Sequence, residues 1–293
     1  MRAVKEKANA KINLYLDVIA KRDDGFHDIK TVMHTVSLFD ELTVIYKPSH
    51  VTRITLFIKG NRFLTADEKN LAYRAAKLYL ELAKITADIE IRLHKRIPIA
   101  AGLAGGSSDA AATLRAMNRL FGKLFTERAL LSMAATLGSD VPYCLYGKTS
   151  LCEGRGEILT KLPDNLSLNL VVAVARERVS TQTAYNKLDE FYSDFDGSIA
   201  TGGDGFYHNL MRSIESGSFS DGVLFNVFEG PIFGICRGAE RLKARMYELG
   251  AKAALMSGSG PSVYGIFASE AEARCAMEIL RKEKITAYTA SSV

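Results

Sequence analysis

Pro98-Ile-Ala-Ala-Gly102-Leu-Ala-Gly-Gly-Ser-Ser108, followed by a helix-forming run over residues 109–120, decides how this chain is read. Its three glycines and two serines leave backbone N–H groups uncovered. The helix behind them adds N–H groups without intrahelical partners and a partial positive charge. Together these make a cradle for a phosphate. The same letters also suit a glycine-rich turn before an alanine-rich packed helix, and the segment alone leaves both open. Asp109 suits the helix dipole but would repel a phosphate aimed at it. Two familiar nucleotide signatures fail. Gly147-Lys148-Thr149 mimics the end of a Walker A loop, but Pro142 stands where the earlier glycine is needed. Gly258-Ser-Gly260 mimics a dinucleotide fingerprint that ends on Val263 instead of glycine.

Upstream of the loop, β-forming residues dominate 12–18, 30–38, 42–46, 53–58 and 89–93. Leu71, Ala75, Leu78 and Leu82 form a helical stripe with Asn70 as N-cap, and Arg22-Asp23-Asp24-Gly25 signals a hairpin turn. Downstream, a helix over 126–137 stops at Gly138, and strands follow at 149–152 and 169–175. From residue 180 the pattern is mainly helical, with a glycine-rich break at 202–205. Met256-Ser-Gly-Ser-Gly-Pro-Ser262 then precedes a strand (263–267), a helix (270–282) and a last strand (285–289). This order predicts an α+β fold, with a boundary near residue 160 dividing residues 1–160 from 161–293.

The 293 residues are 47% apolar and 24% charged, a globular balance with material for one large domain or two lobes. No apolar run reaches the ~18–20 residues that span a bilayer. The charged N-terminus lacks an apolar stretch behind it, so no signal peptide and a cytoplasmic location are expected. Cys144, Cys152, Cys236 and Cys275 show no Cys-x-x-Cys spacing and the five histidines are scattered, which predicts reduced thiols and no structural metal. A net charge of +5 fits a polyanionic small ligand, nucleic acid or a solvated basic surface. No dense Lys/Arg cluster interleaved with aromatics supports RNA binding.

Lys11 and Asn13 alternate on one strand face, either in a polar pocket or on the solvent side of a sheet. Asp140, between the helix stop at Gly138 and Pro142, could cap the next helix.

Taken in order, Ala10-Lys11-Ile-Asn13, Gly25-Phe26-His27, Pro98-x-x-x-Gly102-Leu-x-Gly-Gly-Ser-Ser108, Gly138-Ser-Asp140-Val-Pro142 and Ser257-Gly-Ser-Gly260-Pro resemble the GHMP kinase superfamily. The resemblance spans nearly the whole chain. It implies a two-lobed GHMP kinase fold, with a ribosomal-protein-like N-terminal lobe and a ferredoxin-like α/β sandwich as the C-terminal lobe. It implies a kinase using ATP with Mg²⁺, no permanently bound cofactor, and a monomer or homodimer. The acceptor it points to is a cytidyl diphosphate methylerythritol; homoserine, mevalonate or a sugar, or a non-catalytic ATP sensor, are the alternatives.

By the same resemblance Pro98, Ala101, Gly102, Leu103, Ala104, Gly105, Gly106, Ser107 and Ser108 belong to the ATP-phosphate loop, with Asn70 and Lys95 near the nucleoside. Asp140 matches the catalytic aspartate and Lys11 its partner beside the acceptor hydroxyl. Asn13 and His27 match substrate-binding positions, and Phe26 and Tyr185 match aromatic walls on either side of the cytosine. Ser107 or Ser108 could offer a hydroxyl to Mg²⁺, and no carboxylate ligand is assigned. Phe26 stands where the family often has Tyr, so stacking is kept and a hydroxyl lost. Ala104 stands where many members have glycine, and a modest restriction on φ/ψ is expected.

Overall fold

Ala87, Ile89, Ile91 and Leu93 alternate with more polar neighbours, and the segment forms a strand with those four side chains buried. This is β4 (Ala87–His94) of the computed structural model, which describes residues 1–192, 203–217, 219 and 222–293. Gly202, part of the expected glycine-rich break, lies outside the described residues. Before β4 come β1 (Arg2–Lys21), β2 (His27–Pro48), β3 (Arg53–Lys59) and α1 (Leu71–Ala83). After it run α2 (Gly105–Leu120), α3 (Glu127–Leu137), α4 (Val141–Tyr146), β5 (Thr149–Gly154), β6 (Ile158–Lys161) and β7 (Asn169–Val174). The remainder is α5 (Thr181–Phe191), α6 (Asp204–Ser216), β8 (Phe225–Asn226), α7 (Glu229–Ile235), α8 (Arg237–Glu248), β9 (Ala253–Met256), β10 (Ser262–Phe267), α9 (Glu270–Lys282) and β11 (Thr286–Ser291).

The chain forms two compact units, each drawn from three stretches. The first takes Met1–Ala10, Phe39–Ile99 and Ala104–Gly147; the second takes Lys11–Leu38, Ala100–Leu103 and Lys148–Val293. Residue 160 falls on β6, inside the second unit.

In the first unit β3 and β4 are parallel, joined through α1 as a β-α-β crossover, and β4 runs antiparallel to the C-terminal half of β2. Leu42, Val44, Ile89 and Ile91 meet Ala75, Tyr79, Ala110, Leu114 and Met133 in one apolar cluster. Asn70 caps α1 as expected, accepting from Ala72 N–H at 3.0 Å.

In the second unit the sheet order is β11-β7-β10-β9, all antiparallel. Numbered along the chain this is 4-1-3-2, with helices between the first and second and between the third and fourth strands, the ferredoxin-like arrangement. Every residue of β10 is buried, as befits a central strand covered on both faces. In the same unit β5 pairs with the N-terminal half of β2 and with β6, and β1 pairs in parallel with β8.

Three sequence expectations need correcting. The strand expected at 12–18 begins at Arg2. The strands expected at 30–38 and 42–46 are one strand, β2. Its polar midpoint does not break it because Asp40, fully buried, accepts from the backbone N–H of Arg96 and of Ile97 and from the Lys95 ammonium. Finally, α2 starts at Gly105, four residues before Asp109, so both serines of the loop lie in its first turn.

Candidate active site

Ala104 enters α2 with φ 54° and ψ 27°, a left-handed conformation that an alanine adopts only at a cost. The restriction there is thus stronger than the modest one expected. The first helical bond runs from Ser108 N–H to Ala104 C=O at 2.8 Å. The N–H groups of Gly105, Gly106 and Ser107 therefore precede the helical ladder, and no acidic residue sits in that first turn. Ser108 donates its hydroxyl to Asn9 C=O at 2.6 Å, so Ser107 is the better placed of the two serines for an outside ligand. A side chain on Gly105 would meet Ile97 at 3.0 Å, whereas one on Gly106 would touch nothing closer than 3.7 Å.

Lys95 does not project its ammonium outward. It is bound by Asp40 and, at 2.6 Å, by Asp109, and all three side chains are essentially buried. Two carboxylates share one ammonium, and one oxygen of Asp109 has no partner. Burial, aided by the neighbouring Asp40 and opposed by Lys95, pushes the Asp109 carboxyl up to about 8. Asp109 thus faces the interior and would not repel a bound phosphate. Asn70 is likewise engaged locally, capping α1 and donating to Thr65 C=O at 3.2 Å.

Asp140, also in the first unit, precedes α4 without capping it through its side chain. No hydrogen bond or ion pair holds its carboxylate among the described residues, so the capping alternative fails. Asp140 is half-buried, with its backbone C=O accepting from Cys144 N–H at 3.0 Å.

In the second unit Gly102 has φ +71°, and an added Cβ would lie 2.0 Å from Ser257 C=O, so only glycine fits. Ser257 donates its hydroxyl to Gly102 C=O at 3.0 Å, and Lys11 N–H donates to Leu103 C=O at 3.2 Å. Ala101 and Leu103 are buried anchors of this stretch, while Pro98, back in the first unit, is half-buried. Lys11 donates from Nζ to Asn13 Oδ1 at 2.7 Å. The same oxygen accepts from Gly258 N–H at 2.9 Å, and Asn13 Nδ2 donates to Thr31 at 2.8 Å. Lys11 and Asn13 are both buried, so the solvent-face alternative is ruled out. Asn13 emerges as an organiser, fixing the lysine ammonium and the 257–260 loop together. Asn226 completes this, donating to Met256 C=O at 2.7 Å and Gly258 C=O at 2.8 Å.

At the start of β2, His27 is nearly buried, and its Nε2 lies 2.7 Å from Asp189 Oδ1. Tyr185 stacks on the imidazole with centroids 4.7 Å apart and planes 29° apart, and meets Phe228 edge-on. His27 thus stands where the cytosine was expected to meet Tyr185. Phe26 is half-exposed with the Arg155 guanidinium 4.0 Å over its ring. Asp189, Arg155, Thr31 and Asn226 were not singled out from sequence. Only Asp189 carried a usable signal, four residues after Tyr185 on one helix face.

Among the described residues no group of three or more His, Cys, Asp or Glu could hold a metal, and no helix is long and apolar enough to cross a membrane.

A helix whose first-turn amides open a glycine loop, in a chain of this topology, defines a GHMP-type kinase, and the chain matches the profile GHMP kinases N terminal domain over residues 70–148 and GHMP kinases C terminal over 205–285. A 4-diphosphocytidyl-2-C-methyl-D-erythritol kinase of Macrococcus caseolyticus is 42% identical over 278 residues, 94% of each chain. A crystal structure of 4-(cytidine 5'-diphospho)-2C-methyl-D-erythritol kinase superposes with a TM-score of 0.81 at 33% identity, covering 98% of both chains. A homoserine kinase from Cytophaga hutchinsonii, at 23% identity and a TM-score of 0.71 over 97% of this chain and 94% of that one, shares the fold. The chain belongs to the 4-diphosphocytidyl-2-C-methyl-D-erythritol kinase family and is an enzyme, a kinase with the α+β GHMP fold and ATP as its co-substrate.

Proposed function

We propose that this enzyme transfers the γ-phosphoryl group of MgATP to the 2-hydroxyl of 4-(cytidine 5'-diphospho)-2-C-methyl-D-erythritol, a step toward isoprenoid precursors that does not use mevalonate. The observation that carries this choice of acceptor is the 42% identity to a relative of that name across 94% of both chains. The stacked His27–Tyr185 pair, with Phe26 next to His27 in the chain, supports it, because a homoserine or mevalonate acceptor has no base for such side chains to receive.

Phosphoryl transfer demands alignment and charge stabilisation, since its transition state is loose. The α2 amides of Gly105, Gly106 and Ser107 hold phosphate oxygens at the positive end of the helix. Mg²⁺ would arrive with ATP and supply neutralisation of phosphate charge, with the Ser107 hydroxyl the loop group available to it. The acceptor carbon is tertiary and crowded, so positioning matters more than basicity. Asp140 orients the hydroxyl and takes its proton late, as suits a carboxylate that no neighbour has claimed. Lys11, whose ammonium Asn13 steadies, stabilises the transferring oxygens. Phe26 supplies a stacking face for the cytosine. The enzyme works in the cytoplasm, as a monomer or homodimer, with no nucleic-acid partner.

ADP release, followed with the cytidyl substrate, homoserine and mevalonate in parallel, tests the reading. Turnover is expected with the cytidyl substrate alone. Faster ADP release with either of the others would overturn it.

A further inference from the structure

α5 carries two side chains that act on one target. Its inner side is pinned by Ala184 and Leu188, both fully buried, which sets the helix rigidly in the second unit. Tyr185 and Asp189, one helical turn apart, both reach His27. The tyrosine ring fixes the plane of the imidazole. The carboxylate addresses one nitrogen, Nε2, at 2.7 Å. Its other oxygen takes the Lys21 ammonium at 2.5 Å. Lys21 ends β1 and His27 begins β2, so Asp189 bridges the two strand ends on either side of the hairpin turn. Against the upward pull of partial burial, Lys21 and His27 hold the Asp189 carboxyl below its ordinary range, so it is an anion at neutral pH.

An anionic oxygen only accepts, so Nε2 carries a proton, and in the neutral form of the ring it is the protonated nitrogen. Nδ1 then carries the lone pair, and it has no partner among the described residues. We propose that Asp189 is a positioning residue for nucleobase recognition, holding His27 in the Nε2–H tautomer so that Nδ1 offers an acceptor to the exocyclic amino group of cytosine. This rests on the proposed role of His27 in binding the cytidyl group. Uracil has a carbonyl at that position, and its oxygen would face the lone pair unpaired.

The test compares Asp189→Asn, Asp189→Ala and His27→Ala with the unaltered enzyme, each checked for folding by its thermal melt. Asp189→Asn keeps the shape but can donate as well as accept, which releases the tautomer. It should raise the KM for the cytidyl substrate about tenfold, leaving kcat and the KM for ATP within about twofold. It should also narrow the preference over the uridine analogue. ¹⁵N NMR of the unaltered enzyme, with His27 assigned by loss of its signal in His27→Ala, should show a protonated Nε2 and a bare Nδ1. A neutral His27 protonated at Nδ1 overturns the proposal, as does an Asp189→Asn variant with unaltered KM and base preference. An unchanged cytidyl KM in His27→Ala instead removes the reading beneath it. A raised KM in His27→Ala with normal Asp189→Asn kinetics removes this inference alone.

Discussion

Asp109→Asn is expected to abolish a loss of stability that the unaltered enzyme shows as pH rises above about 6.5. The folded carboxyl titrates at about 8 against an ordinary 3.8. Between those values the folded chain holds a proton that the unfolded chain has released. Stability from this group therefore falls with pH, by about 1.4 kcal/mol per unit. His34 runs the other way. It is fully buried between Thr149 and Ser292, and burial lowers its pKa from 6.5 to about 4. From about 4 to about 6.5 the unfolded chain holds the extra proton, and stability rises with pH at the same slope. The two slopes cancel over that interval. Above it Asp109 acts alone, and a loss of about 2 kcal/mol accumulates by about pH 8. Asp24, Asp67, Glu90 and Asp189 are held below their usual values and act only at lower pH, while the raised Cys236 acts only in alkali. Urea unfolding followed by far-UV circular dichroism at about pH 5, about pH 6.5 and about pH 8 measures this. Asp109→Asn should flatten the upper limb, and His34→Gln should expose the fall from about pH 5 onward. An undiminished loss above about pH 6.5 in Asp109→Asn would refute the reasoning, since the carboxyl would then be ionised in the folded state.

Replacing Asp140 with Asn should cut kcat by at least ~10² while the KM for ATP stays nearly constant; near-normal turnover would remove Asp140 from the chemistry. Ala104→Gly relieves the left-handed alanine at the start of α2 and should stabilise by up to about 1 kcal/mol in the same urea assay. Gly102→Ala should raise the KM for ATP about tenfold or more, because its methyl cannot fit 2.0 Å from Ser257 C=O, and an unchanged value would detach this stretch from nucleotide binding. Tyr185→Ala should raise the KM for the cytidyl substrate by freeing the His27 ring, and an unchanged value would deny any part in base recognition.

What could be read from the letters was whatever depends on local chemistry. The cap at Asn70, the end of α3 at Gly138 and the span of α9 all follow from neighbouring residues and were legible. The order of strands in the second sheet was not, because register is decided by partners far along the chain. Nor was the continuity of β2 through Asp40, since an acidic residue mid-strand reads as a break unless its buried acceptors are known to be filled. Lys95 shows the same limit. A lysine beside a phosphate loop invites a nucleotide contact, but two carboxylates from distant positions claim its ammonium. Asp189 on an exposed-looking helix reads as solvated until His27, 162 residues away, is found against it.

These hidden partners share a physical role, which is to restrict charged or polar groups that would otherwise sample several rotamers. An unsupported lysine carries about 2 kcal/mol of side-chain entropy that binding must remove. Lys11 has already lost much of it, because Asn13 holds the ammonium and Gly258 N–H and Thr31 hold Asn13. The same logic applies in the first unit, where the Asp40–Lys95–Asp109 cluster joins β2, the entry to the glycine loop and the second turn of α2. A loop with so many glycines would be costly to order at the moment of phosphate binding. Tethering its entry and the helix behind it to a buried ionic cluster moves that ordering into folding, so that the α2 amides are aligned before the phosphate they are proposed to hold arrives.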